Sequence, residues 1–318
     1  MDAIPYKFCR SVVNAILYPP LSNRTAENPC FCDKKWTDAF QKYRKRIFWT
    51  AKLCRVNDKW EYGFVNCPYA IHHPALPFLT VEKVKTVPDF ENARISLLNI
   101  EKKDRAAVEK KLHPVNTLDV SMKDLFRFVQ SASCQDFIHL AICQKFSPEE
   151  AEEFVKEIEE WPFSSILIGS YQSAYDNILR TQLSMKSLAN ISVDADIWPS
   201  DSLEIIKEIL FSLKFTSLQI IANDQFSFSF DVFETFFENF ERNPYDEFKC
   251  FTAQFDCDAV EKVKKFKTNL RNSCGDVCKW NSYGSNFHCV WLLHENFILE
   301  LAVRGLNSRD WEFRRILR

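Results

Sequence analysis

The sequence of 318 residues contains little glycine, with five glycines in all. Glycine-rich loops are the usual means of bringing backbone amides close to a phosphate, so this scarcity argues against a nucleotide site of that kind. The chain also has no run of about 18 apolar residues, the length that a membrane-spanning helix requires. Its formal net charge of −2 predicts no bulk attraction to nucleic acid or to an anionic membrane. We therefore expect neither of them as a partner.

The first residues lack the apolar core of a secretory signal peptide, because Asp2, Pro5, Lys7 and Arg10 interrupt it. We therefore expect a cytoplasmic or nuclear protein that is not secreted. In that setting the twelve cysteines should be reduced thiols, and most should be buried as small apolar residues.

Motifs for chemistry are scarce. No nucleophile elbow, phosphate-loop motif or paired-carboxylate motif stands out in the sequence. One set of residues offers metal ligands at loose spacing, namely Cys274, Cys278, His288 and Cys289. Adjacent residues of a strand point to opposite faces, which works against joint ligation by the last two, so we expect no metal and no cofactor. We expect no enzyme either; the alternative, a cysteine-dependent enzyme, requires one cysteine of unusual reactivity.

A short apolar pattern recurs along the chain at positions i, i+3 and i+5, with starts 20 to 33 residues apart. The matches are Ile95-Leu98-Ile100, Val115-Leu118-Val120, Phe137-Leu140-Ile142, Phe163-Ile166-Ile168, Leu188-Ile191-Val193, Phe215-Leu218-Ile220 and, more loosely, Phe248-Phe251-Ala253. This spacing resembles leucine-rich repeats, in which each unit is one strand and one helix. The alternative is a set of unrelated strand–helix units.

The pattern predicts an α/β fold, a leucine-rich-like solenoid with parallel strands on one face and helices on the other. Strands should centre near residues 97, 118, 140, 167, 191, 219 and 252. Apolar residues at helical spacing predict helices over 104–112, 122–132, 172–183, 201–213 and 231–241, and one opened by a capping box at Ser147. Hairpins are expected over 47–65, with a turn at Asn57-Asp58, and over 287–303, before a basic tail at 307–318.

The N-terminal segment carries a family resemblance. Ile4-Pro5 is followed by an amphipathic helix pattern, and Cys32-Asp33-Lys34-Lys35-Trp36 stands later in the segment. Both stretches resemble parts of an F-box, and with the repeats the chain is similar to the nematode-expanded F-box-like proteins. The resemblance implies binding to a Skp-family linker of cullin–RING ubiquitin ligases, with the repeats holding a substrate protein. The implied linker-binding residues are Ile4, Pro5, Phe8, Val12, Val13, Ile16 and Trp36.

The resemblance divides the chain into an F-box-like helical segment (1–47), a hairpin and irregular connector (48–92) and a repeat domain that includes the C-terminal hairpin (93–318). The segment between the two N-terminal helices differs from an F-box, since it contains Pro19, Pro20 and Pro29. The alternative is that the two helices only cap the first repeat, and that the protein is an interaction scaffold without linker binding.

A partner should bind the strand face, because that face of a solenoid usually does the recognising. Alternation along a strand turns the residues between the apolar positions away from the core. The predicted partner-binding residues are Asn99, Asp119, His139, Ser192, Gln219 and Thr252. They are mostly uncharged, which suits a protein surface better than a nucleic acid. The acidic face of the helix over 149–160 is the alternative site.

Overall fold

The protein is described by a computed structural model over residues 34, 36–38, 47–66, 78–87, 93–103, 116–117, 121–133, 138–185, 190–194, 203–212, 215–221, 227–242, 250–256, 259, 262–263, 287–294, 297–304 and 310–317. The strands are β1 Ile47–Val56, β2 Lys59–Val65, β3 Ala93–Lys103, β4 Asn116–Thr117, β5 Ile138–Ile142, β6 Phe163–Ile168, β7 Asn190–Asp194, β8 Ser217–Ile221, β9 Cys250–Gln254, β10 Phe287–His294, β11 Phe297–Arg304 and β12 Asp310–Leu317. The helices are α1 Val81–Lys85, α2 Met122–Ala132, α3 Pro148–Ile158, α4 Tyr175–Met185, α5 Leu203–Ser212 and α6 Phe230–Arg242.

The twelve strands of the described residues form one sheet, in the order β10-β11-β12-β9-β8-β7-β6-β5-β3-β1-β2-β4. The central strands β1, β3 and β5 to β9 are parallel to one another, and from β5 to β9 the order in the sheet follows the order in the chain. Strands at both edges are antiparallel. The predicted α/β class with a mostly parallel sheet is therefore confirmed.

One core joins the helices to the sheet. The apolar positions of the recurring pattern are buried on the strands, as Leu140 and Ile142 of β5 and Ile166 and Ile168 of β6 illustrate. They share a continuous cluster with the inward residues of α2 to α6, and helices that follow one another in the chain contact one another. The helices therefore cover one face of the sheet.

Local sequence explains two of these elements. Asn57 and Asp58 connect β1 and β2 with positive φ angles of 49° and 62°, a conformation that asparagine and aspartate tolerate better than most residues. Helix α3 begins with the predicted capping box: the Ser147 hydroxyl accepts from the Glu150 backbone N–H, and the Glu150 carboxylate accepts from the Ser147 backbone N–H.

The prediction that a strand near residue 118 forms one unit of the parallel array is wrong. The described part of that segment, β4, pairs antiparallel with β2 at the edge of the sheet. The strand β3 pairs directly with β5, from Leu97↔His139 to Ile100↔Ile142, so no other strand lies between them. The other neighbour of β3 is β1, and all ten residues of β1 pair with β3.

The hairpin of β10 and β11 is confirmed, but the tail after it is not a separate extension. Its residues form β12, which pairs with β11 on one side and with β9 on the other. The hairpin thus reaches the parallel strands through β12. The first hairpin shares the same sheet, because β1 pairs with β3.

Four other predicted helices correspond to α2, α4, α5 and α6: α2 has the predicted bounds, and the ends of the other three are shifted by one to three residues. The helix predicted over 104–112 lies outside the described residues. Within the described part of the chain, no helix is both long and apolar enough to span a bilayer.

Candidate functional site: a polar face of the sheet

The sheet face opposite the helices contains two rows of mainly polar side chains. Strand register aligns Ser165, Asn190, Ser217 and Cys250 in the first row. It aligns Leu167, Ser192, Gln219 and Thr252 in the second row. Aligned residues of neighbouring parallel strands point to the same face, so the eight side chains form one surface on β6 to β9. We call these eight residues the polar window.

The polar window is accessible from solvent. Asn190 and Gln219 are exposed, and the other six residues are half-buried. None of the eight residues is charged. Two residues beyond the second row, Asp194 of β7 is in register with Ile221 of β8. The uncharged rows therefore end at this position along the strands.

An ion pair borders the window on the side of β12. Arg314 and Glu312 are in register with Cys250 and Thr252, and the Arg314 Nε donates to Glu312 Oε1 over 2.7 Å. Both charges act on the Cys250 thiol, but burial is the main influence and raises its pKa. Hydrogen bonds with Thr252 and Ser217 act in the opposite direction. The thiol therefore stays protonated, and the window stays uncharged, at neutral pH.

The same face is closed on the side of β1 and β3. The second row continues in register from Leu167 onto β5, β3 and β1, where its residues are Ala141, Asn99 and Lys52. All three are buried. The Lys52 ammonium lies 2.9 Å from the Glu101 carboxylate and 5.7 Å from the centre of the Phe78 ring.

Phe78 comes from a segment that is pinned to the edge of the sheet. The backbone groups of Leu79 and Phe64 exchange two hydrogen bonds of 3.0 and 2.9 Å. A Cβ atom at Gly63 would lie 2.7 Å from the Phe78 Cβ, so this approach depends on the glycine. Phe78 therefore covers the sheet where the polar rows would otherwise continue.

Asn99 lies in a buried polar cluster rather than on an open surface. Its side chain is 1% exposed and donates to Glu101 Oε1 over 2.7 Å. Its Oδ1 accepts from the Cys143 thiol over 3.6 Å. A charge placed at this position would be buried, so substitution of Asn99 tests folding as well as binding.

The other predicted partner-binding residues fall in several places. Ser192, Gln219 and Thr252 belong to the polar window. His139 is half-buried in the first row, next to Ser165, and burial lowers its pKa, which favours the neutral imidazole. Asp119 lies outside the described residues.

The predicted linker-binding residues lie almost wholly outside the described part of the chain. They are Ile4, Pro5, Phe8, Val12, Val13 and Ile16. Trp36 is described, half-buried, in a helical turn over 36–38.

The acidic helix predicted as the alternative site is partly tied to the sheet. Glu150 of α3 contacts the Lys102 Nζ at 2.8 Å and the Arg55 Nε at 3.3 Å. Glu153 accepts from the Arg55 Nη1 over 3.0 Å and from the Trp60 Nε1 over 2.5 Å. These two carboxylates are therefore engaged within the protein, which the helix sequence alone did not indicate.

A groove of about 260 Å³ lies between α2 and α3, on the helix side of the protein. Phe126 and Trp161, both buried, are among its lining residues. Charged residues of both signs line it, namely Lys123, Arg127, Lys156, Glu157 and Glu160. Mixed charge of this kind does not select one class of ligand.

The described cysteines have the properties of buried thiols. Burial raises the pKa of Cys54 and of Cys143 to about 11, and the charge of Lys103 or Lys52 only partly offsets it. A reactive cysteine needs a lowered pKa, because the thiolate is the nucleophile. Within the described residues, no group of three or more metal-ligating side chains comes together. Cys274 and Cys278 lie outside those residues, as do the side chains of His288 and Cys289.

Comparison with known proteins does not assign a family. No family model matches the sequence, and no curated protein matches it.

Proposed function

We propose that the protein is a non-catalytic adaptor of the cytoplasm or nucleus that binds another protein through the polar window. The observation that carries this proposal is the exposure of uncharged polar residues, in register on four parallel strands, on the face that the helices leave open. Parallel sheets in α/β proteins are usually covered on both faces, so an accessible face calls for an explanation.

We further propose that the strand–helix units form a leucine-rich-like solenoid. Support comes from the strand order, which follows the chain from β5 to β9, and from the contacts between successive helices. In solenoids each unit contacts its neighbours, and the strand face usually binds the partner.

The F-box resemblance makes the proposal more specific: the protein is a substrate-recognition subunit of a cullin–RING ubiquitin ligase. In that role a Skp-family linker binds the N-terminal segment, and the window holds the substrate. The alternative is a scaffold that uses the window without a linker.

Affinity purification of the full chain followed by mass spectrometry separates these functions. The double variant Asn190→Glu/Gln219→Glu places charge on the window at two exposed positions. The variant Val12→Asp/Ile16→Asp places charge on the apolar face of the helix that the sequence predicts in the F-box-like segment. We expect the first variant to lose the substrate and keep the linker, and the second to do the reverse.

Gln130→Glu is the matched control, because Gln130 is exposed on α2 of the helix layer. It should keep both partners. Recovery of a window-dependent partner without any Skp-family protein would support the scaffold and exclude the adaptor. Partners that survive the window variant would move the binding surface elsewhere.

A further inference from the structure

The uncharged character of the polar window restricts what it can bind. We infer that the window takes an extended peptide segment of about four residues without charged side chains, an inference that rests on the proposed function. The length follows from geometry, because four strands about 4.8 Å apart span roughly 14 Å, and an extended chain rises about 3.4 Å per residue. The occupant is therefore an uncharged polar segment of a partner protein.

Desolvation is the first argument for an uncharged occupant. A charged side chain that docks on the window loses water and finds no opposite charge among the eight window residues. Burial of a charge without a partner is strongly unfavourable. The nearest charges in register, Glu312 and Arg314, already form an ion pair, with 2.6 Å between the Arg314 Nη2 and the Glu312 Oε1. They offer little net attraction to a ligand of either sign.

Hydrogen-bonding capacity is the second argument. The exposed amides of Asn190 and Gln219 each donate and accept, and so do the hydroxyls of Ser165, Ser192 and Thr252. Surfaces that both donate and accept suit peptide groups and side chains such as asparagine, glutamine, serine and threonine. An apolar segment would leave these groups without partners at a cost in affinity.

The window keeps this character across the neutral pH range. Burial raises the pKa of Cys250 and lowers that of His139 at the end of the first row. Cys250 and the neighbouring His139 are therefore neutral near pH 7, and the other seven window residues have no side chain that titrates in that range.

A random-peptide phage library selected on the immobilised full chain tests the inference. Peptides enriched on the protein should be depleted in Asp, Glu, Lys and Arg relative to the unselected library. A synthetic peptide from this set should bind Gln219→Glu and Gln219→Lys at least about tenfold more weakly than the unsubstituted chain, a difference of about 1.4 kcal/mol. Its affinity should change less than about twofold between roughly 0.05 and 0.5 M salt, because no charged groups are screened.

Gln130→Glu and Gln130→Lys, the same changes on the helix layer, should bind the peptide with unchanged affinity. Enrichment of charged peptides whose binding weakens in salt and responds to the Gln219 variants would overturn the inference and leave the proposed function standing. Failure to enrich any peptide, or binding that the Gln219 variants leave unchanged, would count against the window as a binding surface and so against the proposed function itself.

Discussion

At the scale of single residues, a polar side chain in the core holds two elements together. Gln182 of α4 is 0% exposed. Its Nε2 donates to the Trp161 carbonyl over 2.6 Å, and its Oε1 accepts from the Phe163 N–H over 2.8 Å. The turn between α3 and β6 therefore has its backbone groups paired by a side chain from the next helix.

We expect Gln182→Leu to lower the free energy of unfolding by about 2–6 kcal/mol, since two buried backbone groups lose their partners at about 1–3 kcal/mol each. Leucine is close in size to glutamine, which keeps the cavity contribution small. Urea unfolding followed by circular dichroism measures the difference. Gln130→Leu, at an exposed site, should change stability by less than about 0.5 kcal/mol. Equal effects of the two substitutions would show that the hydrogen bonds of Gln182 contribute little.

The window also shows what sequence can indicate for a single residue. Period-two alternation along β7 to β9 was sufficient to predict Ser192, Gln219 and Thr252 on one face. The same rule could not show that Asn99 is buried, because alternation along one strand does not indicate its contact with Cys143, 44 residues later in the chain. Nor could it show that Glu150 and Glu153 face Arg55, which is 98 residues away from Glu153 in the chain.

At the scale of elements, α3 is fastened to the sheet by charge. The Glu150 carboxylate accepts hydrogen bonds from the Lys102 Nζ of β3 and from the Ser147 backbone N–H, and it forms an ion pair with Arg55 of β1. Burial alone would raise the pKa of Glu150, but the hydrogen bonds from Lys102 and Ser147 and the charge of Arg55 outweigh it. The pKa therefore lies below its ordinary value of 4.5.

A lowered carboxyl pKa in the folded state gives a definite pH dependence. The stabilisation from Glu150 is fully present above pH 4.5 and is lost as the pH falls through the folded-state pKa. We expect Glu150→Gln to have a lower free energy of unfolding than the unsubstituted chain at pH 7. This difference in free energy should become smaller below about pH 4.5. Urea unfolding at several pH values tests this. Glutamine can still fill the capping box, so the comparison reports mainly on the charge.

Glu152→Gln on the exposed side of the same helix is the matched control and should show little pH-dependent difference. A gap that stays constant down to pH 3, or one that is equal in the control, would contradict the role of the Glu150 charge.

Sequence pattern predicted the elements unevenly, for physical reasons. The units from β5 to β9 were predicted well, because each strand buries its apolar positions against an amphipathic helix. The triplet of Val115, Leu118 and Val120 misled, since three apolar positions specify neither a partner strand nor a register. The strand β12 was missed because its arginines suggested a solvated tail, although Trp311 and Phe313 alternate with Glu312 and Arg314.

At the scale of the whole molecule, β12 joins the C-terminal hairpin to the parallel array. Trp311 is 0% exposed, and its ring stacks on Phe255 with 4.3 Å between centroids and meets Phe233 edge-on at 5.9 Å. The ring thus packs against α6 and the residue after β9, while the backbone of β12 continues the sheet into β11.

We expect Trp311→Ala to lower the free energy of unfolding by about 3–5 kcal/mol, the range for removal of a large aromatic ring from a core. Because β12 links the hairpin to β9, amide hydrogen exchange should accelerate across β10 and β11. Hydrogen exchange with mass spectrometry measures both effects. Arg314→Ala, which removes an exposed ion pair from the same strand, should cost less than about 1 kcal/mol. Unchanged exchange in β10 and β11 would mean that the hairpin is held in another way.

The sequential order of the strands has an evolutionary consequence. Each of β6, β7 and β8 pairs with the strand of the unit before it and the strand of the unit after it. Duplication or loss of one strand–helix unit would therefore lengthen or shorten the window by about 4.8 Å and leave the remaining register intact. Under the proposed function, chains with different numbers of units would accept peptides of different length, and substitutions in the two rows would change which peptide side chains are accepted.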